Sequence, residues 1–407
     1  MKLTLLLLLA SSFVNSADLG DATVRQILEA HRWFDLRDAV NTGKSPALYR
    51  GLVAAAFNDV ARAERQFRVA IRSGASGDQQ YAAHEALSSA SFRNGLYRRA
   101  AMEAKKKWAL KPENTPPDWE TAMVRLFEQL PDLQIVSRKP ATVAYTTWRG
   151  GQIVTPLIVN GKPARFMLDT DMNMSVITEE EAKRLGMRVS TNEVAVVGVT
   201  GSSAPGAHTA VADRLEVGGS DFRNVPFLVV PDSTGKFMEF SVGERGALGL
   251  PVMLAIQTFR WNREHRLELG FNPPGGRRVA NLCFDGADPL VEVTVENRRL
   301  AFLLDTGSSH SAAWPVFVEQ FPALLREARK GSQELIGLSG TGRVDAAIMP
   351  ELRMMVASIP IVLRPAPVLL TTTGGASNWH YGTIGVDLLN QAEEVTLDFK
   401  AMTLLMK

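Results

Sequence analysis

The chain is expected to fold as an α-helical domain followed by two all-β units, and three observations predict it. From about residue 21 to 130, apolar residues recur at spacings of three and four, the period of amphipathic helices. Beyond Val143 they alternate, as strands require. The alternating half also repeats itself, since residues 159–170 align without a gap to residues 295–306, at an offset of 136. Ala247-Leu248-Gly249-Leu250 and Thr383-Ile384-Gly385-Val386 repeat at the same offset. One offset at two distant places identifies a tandem duplication, with copies over residues 142–275 and 280–407.

Composition sets the limits. At roughly 150 residues per domain, 407 residues allow two to three domains. Lys plus Arg number 45 against 43 Asp plus Glu, a formal charge of +2, which argues against a nucleic-acid coat. With 45% hydrophobic and 22% charged residues, neither wholesale disorder nor a collagen-like fibre is compatible. The single cysteine, Cys283, excludes an intrachain disulfide, a Cys-x-x-Cys redox centre and a multi-cysteine zinc site. Chemistry is left to carboxylates, hydroxyls and six histidines.

Residues 1–16 read as a secretory signal: Met1-Lys2 is a positive start, residues 3–10 are almost wholly apolar, and Val14-Asn15-Ser16 suits peptidase cleavage. The apolar stretch is too short to cross about 30 Å of hydrocarbon, so no integral membrane segment is expected after its removal. No cysteine follows it to take a lipid. The mature chain is expected to be exported, periplasmic or extracellular, and the lack of disulfides favours a bacterial host. Asn173-Met174-Ser175 is a glycosylation sequon with force only in a eukaryote.

Residues 20–131 form the helical domain. Residues 49–57 with Ala63, Phe67, Ala70 and Ile71 give two helices that break near Asn58-Asp59. Residues 83–92 with Tyr97, Ala100, Ala101 and Ala104 repeat the plan about 35 residues on. The region resembles tetratricopeptide helix pairs, although most landmark residues of that repeat are missing apart from Lys111-Pro112. Such a region implies a protein partner. Arg93, Arg98, Arg99, Lys105, Lys106 and Lys107 are read as a solvated helix face rather than an anion site. Gly43-Lys44-Ser45 lacks the earlier glycine of a phosphate loop, where Asp38 stands, and reads as a turn. Pro112, Pro116 and Pro117 precede a last helix, and residues 132–141 read as a linker.

Each β copy opens with a hairpin. In the first, Leu157-Ile158-Val159 and Phe166-Met167-Leu168 flank Asn160-Gly161, a tight-turn pair, and the second strand ends at Asp169. Residues 178–181 then read as a capped helix start and Gly186 as its stop. In the second copy, residues 290–295 and 300–304 form the hairpin that ends at Asp305, and Pro315 suits a first helical turn. Each copy next carries a glycine-tipped hairpin suited to a lid: Gly198 and Gly201 in the first, Gly337 and Gly340 in the second. Residues 326–333 read as a charged insertion before the latter.

A lone Asp-Thr-Gly is commonly a turn. Here an apolar strand runs into Asp305-Thr306-Gly307-Ser308-Ser309, then come the glycine-tipped hairpin, Ile384-Gly385 and a terminal Val395-Thr396-Leu397-Asp398-Phe399. In that order the second copy resembles the retropepsin-like aspartic proteases, and the first follows the same plan to Leu267-Glu268-Leu269. The resemblance implies a closed β-barrel fold for each copy and an active site where the two meet, each giving one aspartate, Asp305 and Asp169. It further implies that Thr170 and Thr306 lock the loops together, that Gly307 lets the backbone pass close to a carboxylate, and that Ser308, Gly249 and Gly385 support the loops. The implied substrate is a peptide or protein, with no cofactor and no metal.

Two aspartates about 3 Å apart cannot both ionise, so they share a proton: one activates water and the other protonates the carbonyl oxygen. The first copy reads Asp169-Thr170-Asp171, with a third carboxylate in place of glycine. Three alternatives stand beside an aspartic endopeptidase: a non-catalytic peptide-binding module, a homodimer of the second copy built on Asp305 alone, and a helical scaffold capped by the β half. His31, His84, His208, His265, His310 and His380 show no metal-ligand spacing, although His310 lies near Asp305. Ser308 and Ser309 lack the context of a serine nucleophile.

Overall fold

A computed structural model describes residues 22–42, 45–113, 116–197, 203–275, 278–337, 340–371 and 379–407. The expectations for residues 1–16, Gly43, Lys44, Gly198 and Gly201 lie outside these described residues.

Seven helices come first: α1 (Ala22–Glu29), α2 (Trp33–Thr42), α3 (Ala47–Ala56), α4 (Val60–Arg72), α5 (Gly77–Arg93), α6 (Tyr97–Ala109) and α7 (Asp118–Gln129). Helix α3 packs on α4 and α5 packs on α6. The break between α3 and α4 falls where Asn58 takes a left-handed φ of 59° and Asp59 caps α4, accepting from Arg62 N at 3.0 Å. Ser76 and Gln79 form a capping box at the start of α5.

Only part of the basic run is a solvated face, at Arg98, Lys105 and Lys106. Arg93 and Lys107 are only 2% and 4% exposed, and Lys107 bridges Glu85 and Glu120. Arg99, Lys105 and Lys106 pair with Glu64, Glu128 and Glu103. Nor are residues 132–141 merely a linker. Gln134–Arg138 is an edge strand, paired antiparallel with Ser220–Val230.

The first β unit is a closed barrel. Its strands run in the order Ser220–Val230, Ser175–Thr178, Gly246–Leu248, Lys162–Leu168, Ile153–Val159 and Ser203–Val217, and the last pairs back onto the first. The opening hairpin turns at Asn160 and Gly161, with φ of 49° and 77°. The helix after Ser175–Thr178 begins as expected, but Thr178 makes no capping bond. Asp232 accepts from Glu180 N instead, at 3.1 Å, because the adjoining strand ends beside it.

The second unit repeats this plan without closing. The 15-residue strand Ser203–Val217 has two successors, Gly340–Met349 and Leu352–Val356, parted at Pro350. The counterpart of Ser220–Val230 is likewise split, into Ile359–Leu363 and Ala366–Leu369, around Pro365. Residues 326–333 run from a short 3-10 turn, Leu324–Glu327, into the strand Arg329–Gly337, whose Gly337 pairs with Gly340 at the hairpin tip.

A third sheet joins the copies, in the order Ala141–Ala144, Arg266–Leu269, Thr258–Asn262, Glu394–Asp398, Thr403–Met406. At its centre Arg260 faces Thr396, its counterpart in the repeat, flanked by Phe259 opposite Leu397 and Trp261 opposite Val395. The pairing is therefore two-fold about Arg260 and Thr396. Apolar packing runs unbroken from Phe166, Phe227 and Phe259 into Phe302, Leu397 and Leu404. The helices rest on both copies: Phe92 and Phe127 share a cluster with Met174 and Leu228, and Leu52 and Phe67 share one with Cys283 and Leu290. Among the described residues no helix is long and apolar enough to cross a membrane.

Candidate active site

Asp169 and Asp305 stand at equivalent strand ends. Strand Lys162–Leu168 lies parallel to Gly246–Leu248, and Asp169 N donates to Leu248 O at 3.0 Å. Strand Arg298–Leu304 lies parallel to Gly382–Ile384, and Asp305 N donates to Ile384 O at 3.0 Å. Each aspartate leaves a buried apolar strand and enters a loop that the neighbouring strand holds from below.

Two threonines tie the loops to each other. Thr170 N donates to Thr306 Oγ1 at 3.1 Å, and Thr306 N donates to Thr170 Oγ1 at 3.1 Å. Each hydroxyl then donates across the junction, Thr170 to Leu304 O at 2.5 Å and Thr306 to Leu168 O at 2.9 Å. Four bonds thus fix one loop against the other, and both side chains are buried.

The loops also grip their own carboxylates. Asp169 Oδ1 accepts from Asp171 N at 2.9 Å and Met172 N at 3.2 Å. Asp305 Oδ1 accepts from Gly307 N and Ser308 N, both at 2.9 Å. Gly307 touches both acids. Its amide binds Asp305, while its α-carbon lies so near Asp169 that a Cβ would overlap the carboxylate. Gly249 and Gly385 back the loops by close approach as well: a Cβ would lie 2.5 Å from Met172 O in the first case and 2.8 Å from Ser308 O in the second.

The remaining sequence candidates are placed differently. Ser308 acts on Asp305 through its amide, and its hydroxyl donates to His310 O at 2.9 Å. His310 itself is exposed. Gly337 and Gly340 pair at the hairpin tip of the second unit.

Burial pushes the carboxyls up. Asp305 is raised to about 6 by desolvation, against the opposing pull of the Gly307 and Ser308 amides. Asp169 is raised well above the usual range, first by desolvation and then by the charge of Asp305. Asp171, partly buried, is raised by desolvation and by Asp305, Asp288 and Asp169. Desolvation also lifts Asp288 to about 6. Together they make a protonatable cluster in which repulsion retains hydrogen at mildly acidic pH.

Residues 155–252 fit the family model described as aspartyl protease. Among solved structures, the chain is similar to a retropepsin-like aspartic protease from Rickettsia conorii, 18% identical, with a TM-score of 0.24, over 33% of this chain and 93% of that one. No curated protein matches it.

Two site residues escaped the sequence reading. Gln152 is 1% exposed and donates through Nε2 to Gly307 O at 3.2 Å, so the first copy braces the second copy's loop. Asp288, Gln152's counterpart at the repeat offset, adds by its charge to the desolvation that raises Asp171. The offset of 136 extended seven residues upstream would have found both.

Proposed function

We propose that this chain is an exported aspartic endopeptidase in which Asp169 and Asp305 share one proton. A water held between the carboxylates loses a proton to the ionised member and attacks the peptide carbonyl, while the protonated member donates to the carbonyl oxygen. The tetrahedral intermediate collapses as the amine leaves with a proton returned by the pair. What supports this is chiefly the reciprocal Thr170–Thr306 bonding, which brings two loops of one chain together with an aspartate in each. The dyad is then intramolecular and needs no second copy of the chain. The test is hydrolysis of a peptide library between about pH 3 and 7 by the wild type and by Asp305→Asn and Asp169→Asn. Loss in both variants supports the dyad. Loss in Asp305→Asn alone selects a homodimer of the second copy.

One observation favours a second reading, a peptide-binding unit without turnover: Asp171 adds a carboxyl where the second loop has Gly307. A statine-type transition-state analogue that binds without any peptide being cleaved would select it.

A further inference from the structure

A cavity opens between the helices and the second β unit. Leu28, Leu52, Ala55 and Ala56 form its apolar walls, and Phe284 and Gly286, from the turn before Asp288–Val295, close the β side. It leaves about 60 Å³ for the centres of water-sized groups. Each such group needs ~10–15 Å³, so the space suits a chain of roughly four to six non-hydrogen atoms.

Three of its lining residues carry a buried side-chain polar atom with no hydrogen-bond partner: His31 Nε2, Trp33 Nε1 and Ser89 Oγ. Their residues are 5%, 8% and 4% exposed. Leaving such groups unmade costs about 1–3 kcal/mol each, so an occupant that satisfies them is favoured. His31 is oriented from behind, its Nδ1 2.7 Å from Asp285 Oδ2, which leaves Nε2 facing inward. Arg93 supplies a buried positive charge. Its nitrogens donate to the neutral oxygens of Asn58, Gly286 and Ala55, and burial pulls it down to about 9. Glu85, the lining carboxylate, is engaged 2.6 Å from Lys107.

We propose that this cavity binds a short-chain carboxylic acid. Trp33 Nε1 and Ser89 Oγ donate to its carboxylate beside Arg93, and its hydrocarbon tail lies against Leu28, Leu52 and the two alanines. His31 Nε2 completes the carboxyl in either state, accepting from the neutral acid or, as imidazolium, donating to the anion. The guanidinium's field separates this ligand from an uncharged isostere of the same shape.

The test is calorimetric titration of the full chain with butyrate, butyramide and butanol. Butyrate binds, and the two neutral isosteres bind at least about tenfold more weakly. Ser89→Ala and Trp33→Phe each weaken butyrate about tenfold, and Ser89→Ala, which removes an unpaired buried hydroxyl, does not lower the melting temperature of the unliganded protein. Equal binding of butyramide overturns the assignment of a carboxylate. No butyrate binding, or full affinity in Ser89→Ala, leaves a cavity filled by water and overturns the site. Should Trp33→Phe fail to fold, Ser89→Ala and the isostere series decide alone.

Discussion

Gln152 donates to the carbonyl of Gly307 at 3.2 Å, and the corresponding pair in the other half of the repeat is Asp288 and Asp171. On one side of the two-fold an amide braces a glycine loop. On the other stand two carboxyls, and the charge of Asp288 adds to the desolvation that raises Asp171. Both departures from symmetry fall at equivalent positions of the repeat, Gln152 against Asp288 and Gly307 against Asp171.

The carboxyls set the response to pH. Asp305 and Asp288 titrate near 6 in the fold, and Asp169 and Asp171 are also raised. An unfolded aspartate titrates near about 3.9, so their contribution is complete below that value and is lost as pH rises through about 6. Melting temperature is expected to fall between pH 5 and pH 8. Asp171→Asn and Asp288→Asn should each flatten that decline in scanning calorimetry.

Asp305→Asn and Asp169→Asn are each expected to lower peptide hydrolysis by about 10²–10⁴, the usual range for loss of acid–base catalysis. Circular dichroism and melting would show both variants folded. Retained activity in either removes that residue from the dyad.

Asp171→Gly restores in the first loop what the second loop has. Removing a like charge lowers the remaining carboxyls, so the alkaline limb of the activity profile moves to lower pH, by up to about one unit. A limb that stays in place would mean that Asp171 does not act on the dyad.

Thr170→Val and Thr306→Val keep shape but remove a hydroxyl that both donates and accepts, and each leaves a buried amide unpaired. Each is expected to cost about 2–4 kcal/mol. Because the two share bonds, the double variant should lose less than the sum, as a double-mutant cycle in denaturant would measure.

The sequence made the site legible because duplication supplies its own control: Asp169, Thr170, Gly249 and their counterparts are found by offset alone. The helix break at Asn58-Asp59 was equally open, since its signals are local. What stayed hidden depended on distant partners. Lys107 looks like a surface lysine until Glu85 and Glu120 fold around it. Residues 134–138 read as linker because their apolar side chains remain exposed on an edge, and the cap of the helix after Thr178 comes from Asp232, 52 residues beyond the amide it binds. The split of the second barrel was not signalled by Pro350 and Pro365, since Pro205 and Pro226 stand inside unbroken strands of the first copy.

His31 and His380 flank Asp285, at 2.7 and 3.1 Å, and hold its carboxyl well below the usual range. Here the sign is opposite: the stabilisation is present above the usual carboxylate range and is lost as pH falls through the lowered value. Asp285→Asn is expected to destabilise the protein by about 3–5 kcal/mol at neutral pH, by leaving buried partners uncompensated. Limited proteolysis should then release the helices from the β half.

The joining sheet carries a consequence for separating the copies. Glu394–Asp398 lies between Thr258–Asn262 and Thr403–Met406, so the central pairing of that sheet is made by one strand from each copy. Either copy expressed alone would bare a strand edge, Thr258–Asn262 in the first or Glu394–Asp398 in the second, and an unpaired edge is a template for another chain. Separated halves are therefore expected to self-associate through the strand that each presents to the other in the intact protein.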